Sequence, residues 1–243
     1  MTNASGNPLR FFDTHTHLLP GMDDGSSSPD ESLHMLETMK AQGVEKVCLT
    51  SHYYPWREPV SEYLARRAEA YEELKPQLEQ AEMPALLGAE VRLSPELFNL
   101  ESIDDLCLED SRLLLLELPF REAVDDRRIE QIDRFASQFY VQPVIAHFNR
   151  YDLFKNEARR EELRQIGCYL QMNLEAFLGG FIDKHRALKL LRHGEIDMLG
   201  SDSHNMTSRP PNIRRAVETF KDDPELVSEF QAIFEKTTDL LGV

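Results

Sequence analysis

Six times in this chain a short apolar run ends on a histidine or a carboxylate. The runs are FFDTHTH, closing on His15 and His17; VCLTSH, on His52; LLGAE, on Glu90; LLLLE, on Glu117; VIAH, on His147; and MLGSDSH, on Asp202 and His204. A charged or imidazole side chain directly after several apolar residues is costly to desolvate unless something satisfies it. A backbone partner in the core explains one such residue. Six of them, each at the carboxyl end of a strand-like run, require a shared ligand.

The apolar runs alternate with longer amphipathic segments. Strands are expected at Leu9 to His15, Val44 to Ser51, Ala85 to Glu90, Arg112 to Leu118, Val141 to His147, Cys168 to Asn173 and Asp197 to Ser201. The first helix is the best specified. Ser28 can cap it, Pro29 suits its first position, Glu31 completes a capping box and Gly43 stops it. Its core stripe is predicted as Leu33, Leu36 and Met39. Further helices are expected over Tyr63 to Ala81, Arg127 to Phe139, Glu157 to Ile166, Asp183 to His193, Ile213 to Lys221 and Pro224 to Thr237. Such alternation implies βαβ units and a parallel α/β sheet. Ligands from many strand ends converge on one point only if those ends form a ring, so a TIM-like barrel is favoured, with residues 1–243 as a single domain.

His15 and His17 stand two apart, and in an extended strand such residues face the same way, so both imidazoles can reach one ion. Asp202 and His204 repeat that spacing. Asp23, Asp24 and Gly25 follow in GMDDG, which ordinary turn chemistry explains when taken alone. Histidines and carboxylates without cysteine suit Mn, Fe or Zn in mixed nitrogen and oxygen coordination, and the number of candidates suggests two or three divalent ions. Metal-activated hydroxide is the expected nucleophile. Arg150 in HFNR and Arg209 in SHNMTSRPPN lie on loops at the rim, where a planar guanidinium matches phosphate oxygens. Tyr53, Tyr54 and Trp56 follow His52 as an aromatic loop at the mouth, while His34, His185 and His193 read as surface residues.

The formal net charge of −16 argues against nucleic acid and anionic membranes as general partners. Three cysteines without CxxC spacing fit a reducing compartment. The polar start has no apolar leader and no run is long enough to insert in a membrane, so a cytoplasmic protein is expected. None of Cys48, Cys107 and Cys168 is followed by arginine at the C-x5-R spacing of cysteine-dependent tyrosine phosphatases.

DTHTHLLPGMDDG, the ESL of the first helix, TSHYYP, GAEVRLSPEL, LLLLELP, PVIAHFNRY and GSDSHNMTSRPPN resemble, in order and spacing from Phe12 to about Pro211, the PHP (polymerase and histidinol phosphatase) superfamily. Within it they resemble the bacterial tyrosine phosphatases of capsule and exopolysaccharide clusters. The resemblance implies a distorted (β/α)7 barrel with a three-metal cluster, commonly manganese, that removes phosphate from protein tyrosines. The implied partner is the autophosphorylated tail of a bacterial tyrosine kinase that controls polysaccharide export. By motif match His15, His17, Asp24, His52, Glu90, Glu117, His147, Asp202 and His204 become metal ligands, and Arg150 and Arg209 phosphate contacts. The sixth strand, CYLQMN, lacks the His or Cys that many superfamily members place there, which leaves Glu117 either a direct ligand or a residue that orients ligands. Two other readings stand beside this one. The first is a phosphatase of a small phosphomonoester such as histidinol phosphate or of a nucleic acid 3′ end, the latter disfavoured by charge. The second is a metal-binding scaffold that docks a kinase tail without turnover.

Overall fold

The computed structural model describes residues 9–120 and 122–243; the polar opening, residues 1–8, lies outside the described residues. The first helix, α1 (Pro29–Ala41), starts as its sequence predicts, with Pro29 in the first turn and Ser28 Oγ accepting from Glu31 N at 3.2 Å. The carboxylate of Glu31 reaches back one residue further than a capping box requires, accepting from Ser27 N at 3.0 Å and Ser27 Oγ at 2.7 Å. The buried stripe is Met35, Leu36 and Met39, and Leu33 is only half-buried. Positions 35, 36 and 39 follow the 3.6-residue period as well as 33, 36 and 39 do, so the pattern alone does not choose the face.

Among the described residues seven strand positions are present, but two are interrupted, giving nine short strands: β1 (Phe11–Thr16), β2 (Val44–Leu49), β3 (His52–Tyr53), β4 (Ala85–Leu87), β5 (Glu90–Arg92), β6 (Leu113–Glu117), β7 (Gln142–Ile145), β8 (Tyr169–Asn173) and β9 (Met198–Gly200). The second expected strand breaks at Thr50 and Ser51, whose carbonyls both accept from Glu90 N. The third breaks at Gly88, where a Cβ would lie 2.7 Å from Leu108 Cδ2 and would push that side chain aside. All pairings are parallel, in the orders β1-β2-β4 and β3-β5-β6-β7-β8-β9. The ring closes where Thr16 bridges Ser203, with His17 N donating to Ser203 O at 3.0 Å and Asp202 N to His15 O at 2.8 Å. The protein therefore has the expected distorted barrel with seven strand positions.

Alternation along the strands separates two packed layers. Phe12, Cys48, Leu113, Leu115, Val144 and Met198 fill the barrel interior, and α7 (Pro224–Leu241) adds Phe234 and Leu241 to that cluster. Leu114, Leu116, Ile145, Leu170 and Leu199 face outward against helical residues, among them Ile132 and Phe135 of α3 (Asp126–Phe139) and Leu163 of α4 (Glu157–Gln165). In β1 this alternation is reset. Asp13 pairs with Val47 and Thr16 with Leu49, so three steps in β1 match two in β2. That bulge inserts one residue. Phe12 faces inward before it, and His15 and His17 face inward after it.

The remaining helices are α2 (Val60–Ala81), α5 (Phe181–Arg192) and α6 (Ile213–Val217). α2 starts three residues before the expected position, and α6 stops at Val217 rather than Lys221. Among the described residues no helix is long and apolar enough to cross a membrane. His34, His185 and His193 are exposed, as expected.

Candidate metal centre

The strand ends bring all nine candidate ligands into one cluster. Three groups of potential ligand atoms each lie within 4.8 Å of one another: His17, Asp24, His52 and His204; His15, His17 and Asp202; and His52, Glu90 and Glu117. His17 and His52 each belong to two groups. His147 joins through Glu90, with Nε2 2.7 Å from Oε1, and lies 3.8 Å from Glu117 Oε1. His147 and Asp202 both hold left-handed backbone, φ 33° and 54°, which turns their side chains into the ring at a cost of about 1–3 kcal/mol each.

Several of the atoms crowd without pairing. His52 Nδ1 is 2.9 Å from Glu90 Oε2, yet neither atom has an aligned hydrogen bond. Among the described residues His147 Nδ1 and His204 Nε2 are likewise buried without a hydrogen-bond partner. Buried polar atoms of this kind are rare in folded proteins and suit an ion or ligand held between them. The donor set of imidazole nitrogens and carboxylate oxygens fits divalent transition metals.

Electrostatics agree. Burial disfavours charge on Glu90 and Asp202, yet the neighbouring His15, with His52 beside Glu90 and His17 and Arg150 beside Asp202, holds both carboxylates well below their usual range. Asp24, hydrogen-bonded to His52, falls to about 2. Burial opposes protonation of His17 and His52 as well, but Asp23 and Asp202 raise His17 well above its ordinary value, and Glu90 and Asp24 raise His52 to about 9. His204 is pushed down to about 3 by burial and by the charge on His17. Protons on His17 and His52 thus supply positive charge that bound cations can supply instead.

A supporting layer aims the ligands. Asp23 Oδ2 accepts from His17 Nδ1 and from His52 N, both at 2.8 Å, and its Oδ1 accepts from Gly25 N at 2.9 Å. That contact leaves His17 Nε2 free to face the site. Asp202 O lies 2.9 Å from His204 Nδ1, with the same effect. On the sixth strand position Gln171 Oε1 accepts from His147 N at 2.6 Å and lies 3.3 Å from His15 Nδ1, while its Nε2 donates to Asn173 Oδ1. Asn173 Nδ2 in turn donates to Asp202 Oδ2 at 2.8 Å. The strand without a ligand therefore orients three of them. Sequence reasoning missed this pair, although Gln171 and Asn173 show the same two-residue spacing as His15 and His17. Arg92 holds Glu117 Oε2 at 2.8 Å, another contact the sequence did not single out.

Gly200 belongs to this layer by having no side chain. A Cβ there would meet His15 Cβ at 2.5 Å and Gln171 Nε2 at 2.8 Å. Gly200→Ala is expected to cost about 1–3 kcal/mol of stability through overpacking and to weaken metal binding roughly 10–100-fold by displacing His15. Thermal unfolding and metal titration measure both; wild-type values in each would remove Gly200 from the positioning of His15.

Arg150 Nη2 and Arg209 Nη2 meet the same oxygen, Asp202 Oδ2, at 2.8 and 2.6 Å, and Glu175 tethers Arg150 Nε at 2.7 Å. They line a cavity of about 370 Å³ together with Asp24, Glu90 and Glu117. Its walls are aromatic. Tyr54 stacks on His52 with ring centres 5.2 Å apart, and Trp56 leans on Tyr54. Opposite them Phe120, which the sequence did not single out, stacks on His147 at 5.5 Å. Arg57 backs Tyr54 and Arg92 backs Phe120, at 4.3 and 4.9 Å. Tyr53, expected at the mouth, is instead fully buried and packs on Tyr63, because alternation in β3 sends it away from His52. Cys48, Cys107 and Cys168 are buried away from the cavity, and burial pushes the thiol of Cys107 up to about 11 and that of Cys168 up to about 12.

Over residues 11–231 the chain matches the family described as capsular polysaccharide synthesis, CpsB/CapC. The tyrosine-protein phosphatase CpsB of Streptococcus pneumoniae is 32% identical over 222 residues, covering 86% of this chain and 88% of that protein. The tyrosine-protein phosphatase YwqE of Bacillus subtilis (strain 168) is 27% identical over 247 residues, covering 95% and 91%. Among solved structures, one from a study of YwqE from Bacillus subtilis and CpsB from Streptococcus pneumoniae, described as unique metal-dependent tyrosine phosphatases, superposes with a TM-score of 0.76 at 24% identity, covering 95% of this chain and 94% of that one. The phosphotriesterase homology protein of Escherichia coli, with phosphate in its active site, gives a TM-score of 0.54 at 11% identity, covering 97% and 99%. At these identities the structural likenesses speak to the fold alone.

Proposed function

The chain belongs to the CpsB/CapC family of capsular polysaccharide synthesis, and from that membership we propose that it is a metal-dependent phosphatase acting on phosphotyrosine in proteins. The observation that carries the reading is the cavity itself: ligand groups that meet at His17 and His52, two guanidinium groups converging on Asp202, and aromatic walls above them. His15, His17, Asp24, His52, Glu90, Glu117, His147, Asp202 and His204 would hold two or three divalent ions, with Mn as the first choice and Fe or Zn accepted by the same donors. Glu117 would have Oε1, 3.8 Å from His147 Nε2, to offer an ion, its Oε2 being held by Arg92. A bacterial tyrosine kinase that controls polysaccharide export is the proposed protein partner.

Bound ions supply Lewis acidity, which draws the pKa of a coordinated water toward neutrality. The chain's own residues do the rest. Arg150 and Arg209 offer planar donors to phosphoryl oxygens and stabilise the charge that grows on them during transfer. Glu175 fixes Arg150 in place before substrate arrives. Tyr54, Trp56 and Phe120 flank an aryl ring whose phosphate rests on the floor. Phenolate is a good leaving group, so expulsion of tyrosine needs less proton donation than expulsion of an alkoxide. The thiols take no part, since each is buried and held protonated.

The test compares a phosphotyrosyl peptide with histidinol phosphate, using protein loaded with Mn. The expected result is kcat/KM at least roughly tenfold higher for the aryl ester, a difference of about 1.4 kcal/mol in transition-state binding. Turnover confined to histidinol phosphate would transfer the assignment to the small-substrate reading. Metal binding without release of phosphate from either compound would leave only the scaffold.

A further inference from the structure

Trp56 and Arg92 line more than the metal cavity. They also form one end of a second groove, about 1120 Å³ in volume, that continues over Pro95, Phe98 and Pro119 to the first turns of α3. Leu93, Pro95, Phe98 and Pro119 supply its apolar surface, and Arg127, Arg128 and Arg134 of α3 join Arg92 as its guanidinium groups. We propose that this groove binds the polypeptide on one side of the phosphotyrosine and selects acidic side chains there. The proposal rests on the phosphatase reading, since the groove opens from the same cavity.

Charge carries the argument. In a chain of formal net charge −16, four guanidinium groups line this groove against three carboxylates, Glu122, Asp125 and Glu130, and of the four Arg92 already pairs with Glu117 at 2.8 Å, so the cations of α3 decide its preference. Two of those carboxylates are engaged. Glu122 pairs with Arg128, and Asp125 caps α3 by accepting from Arg128 N at 3.0 Å. Glu130 lies between Arg127 and Arg134 on the helix, but among the described residues it forms no ion pair with either, nor does any other carboxylate. Arg134 rests over the Phe98 ring at 5.0 Å, which holds its charge at the groove wall. Arg127 and Arg134 are seven residues apart on one helix, about 10.5 Å along its axis. An extended peptide covers that distance in about three residues. The groove therefore suits two acidic side chains three residues apart in the chain flanking the phosphotyrosine.

The experiment uses free phosphotyrosine, a phosphotyrosyl peptide with acidic flanks and the same peptide with neutral flanks. Wild-type protein is expected to favour the acidic peptide roughly tenfold in kcat/KM, mostly through KM, as two exposed ion pairs supply. Raising the salt concentration should shrink that preference. The double variant Arg127→Glu, Arg134→Glu should lose or reverse it while hydrolysing free phosphotyrosine at the wild-type rate. Equal rates for the two peptides in wild-type protein, or a preference that survives both arginine changes, would overturn the groove and leave the phosphatase reading standing. A protein that hydrolyses none of the three substrates would instead overturn the phosphatase reading.

Discussion

Replacement of His17 with alanine is expected to lower turnover at least roughly 10³-fold, equivalent to about 4 kcal/mol of transition-state stabilisation. Two ligand groups share this residue, so its loss opens both. It also leaves Asp23, which spans His17 Nδ1 and His52 N, without one of its partners, and the second imidazole then loses part of its anchor. Metal content measured on the purified variant should fall with the rate. Thorough chelation of wild-type protein should reproduce the loss, and added Mn should reverse it. Binding must displace the protons that the site's carboxylates hold on His17 and His52, so retention of metal should weaken as pH falls. Full turnover after chelation would be incompatible with this centre.

Arg150→Ala is the second large effect, expected to reduce kcat by about 10²–10³, the usual consequence of removing one preorganised donor from a developing oxyanion. Unlike His17→Ala it should leave metal content near wild type, because Arg150 touches the site through Asp202 Oδ2 and offers no ligand atom. Arg209 meets that same oxygen and keeps the carboxylate paired when Arg150 is gone. Lysine at position 150 should rescue poorly, since a point charge cannot reproduce two parallel donors. If metal is lost along with activity, Arg150 belongs to the architecture of the centre rather than to phosphate recognition.

The ligands were legible in the sequence because desolvation makes a histidine or carboxylate at the end of an apolar run conspicuous. His52, Glu90, Glu117 and His147 are each announced that way. Gln171 and Asn173 are not, since neutral amides follow apolar residues in many strands without consequence. Asp23 was hidden for a different reason: in GMDDG the turn accounts for both aspartates, the family resemblance singles out only Asp24, which faces the cavity, and nothing in the motif says that Asp23 holds His17 from behind. Phe120 was invisible because nothing in LPFRE says that its ring will lie over His147. The breaks at Thr50 and Gly88 likewise depend on what approaches from neighbouring strands, which local pattern does not encode.

The bulge in β1 makes the difference between a reactive barrel and an inert one a matter of pairing register. Phe12 and His15 are three residues apart, an odd interval, so both face inward only because one residue between Asp13 and Thr16 is set outside the alternation. Were the same residues paired with β2 in unbroken register from Phe12, alternation would point Thr14 and Thr16 inward and carry His15 and His17 to the outer layer. Loss of Thr14 would have the opposite outcome, since the strand could straighten with Phe12, His15 and His17 all facing inward. The imidazole pair at this mouth can therefore be kept or lost by how one strand is pinned to its neighbour, with composition unchanged.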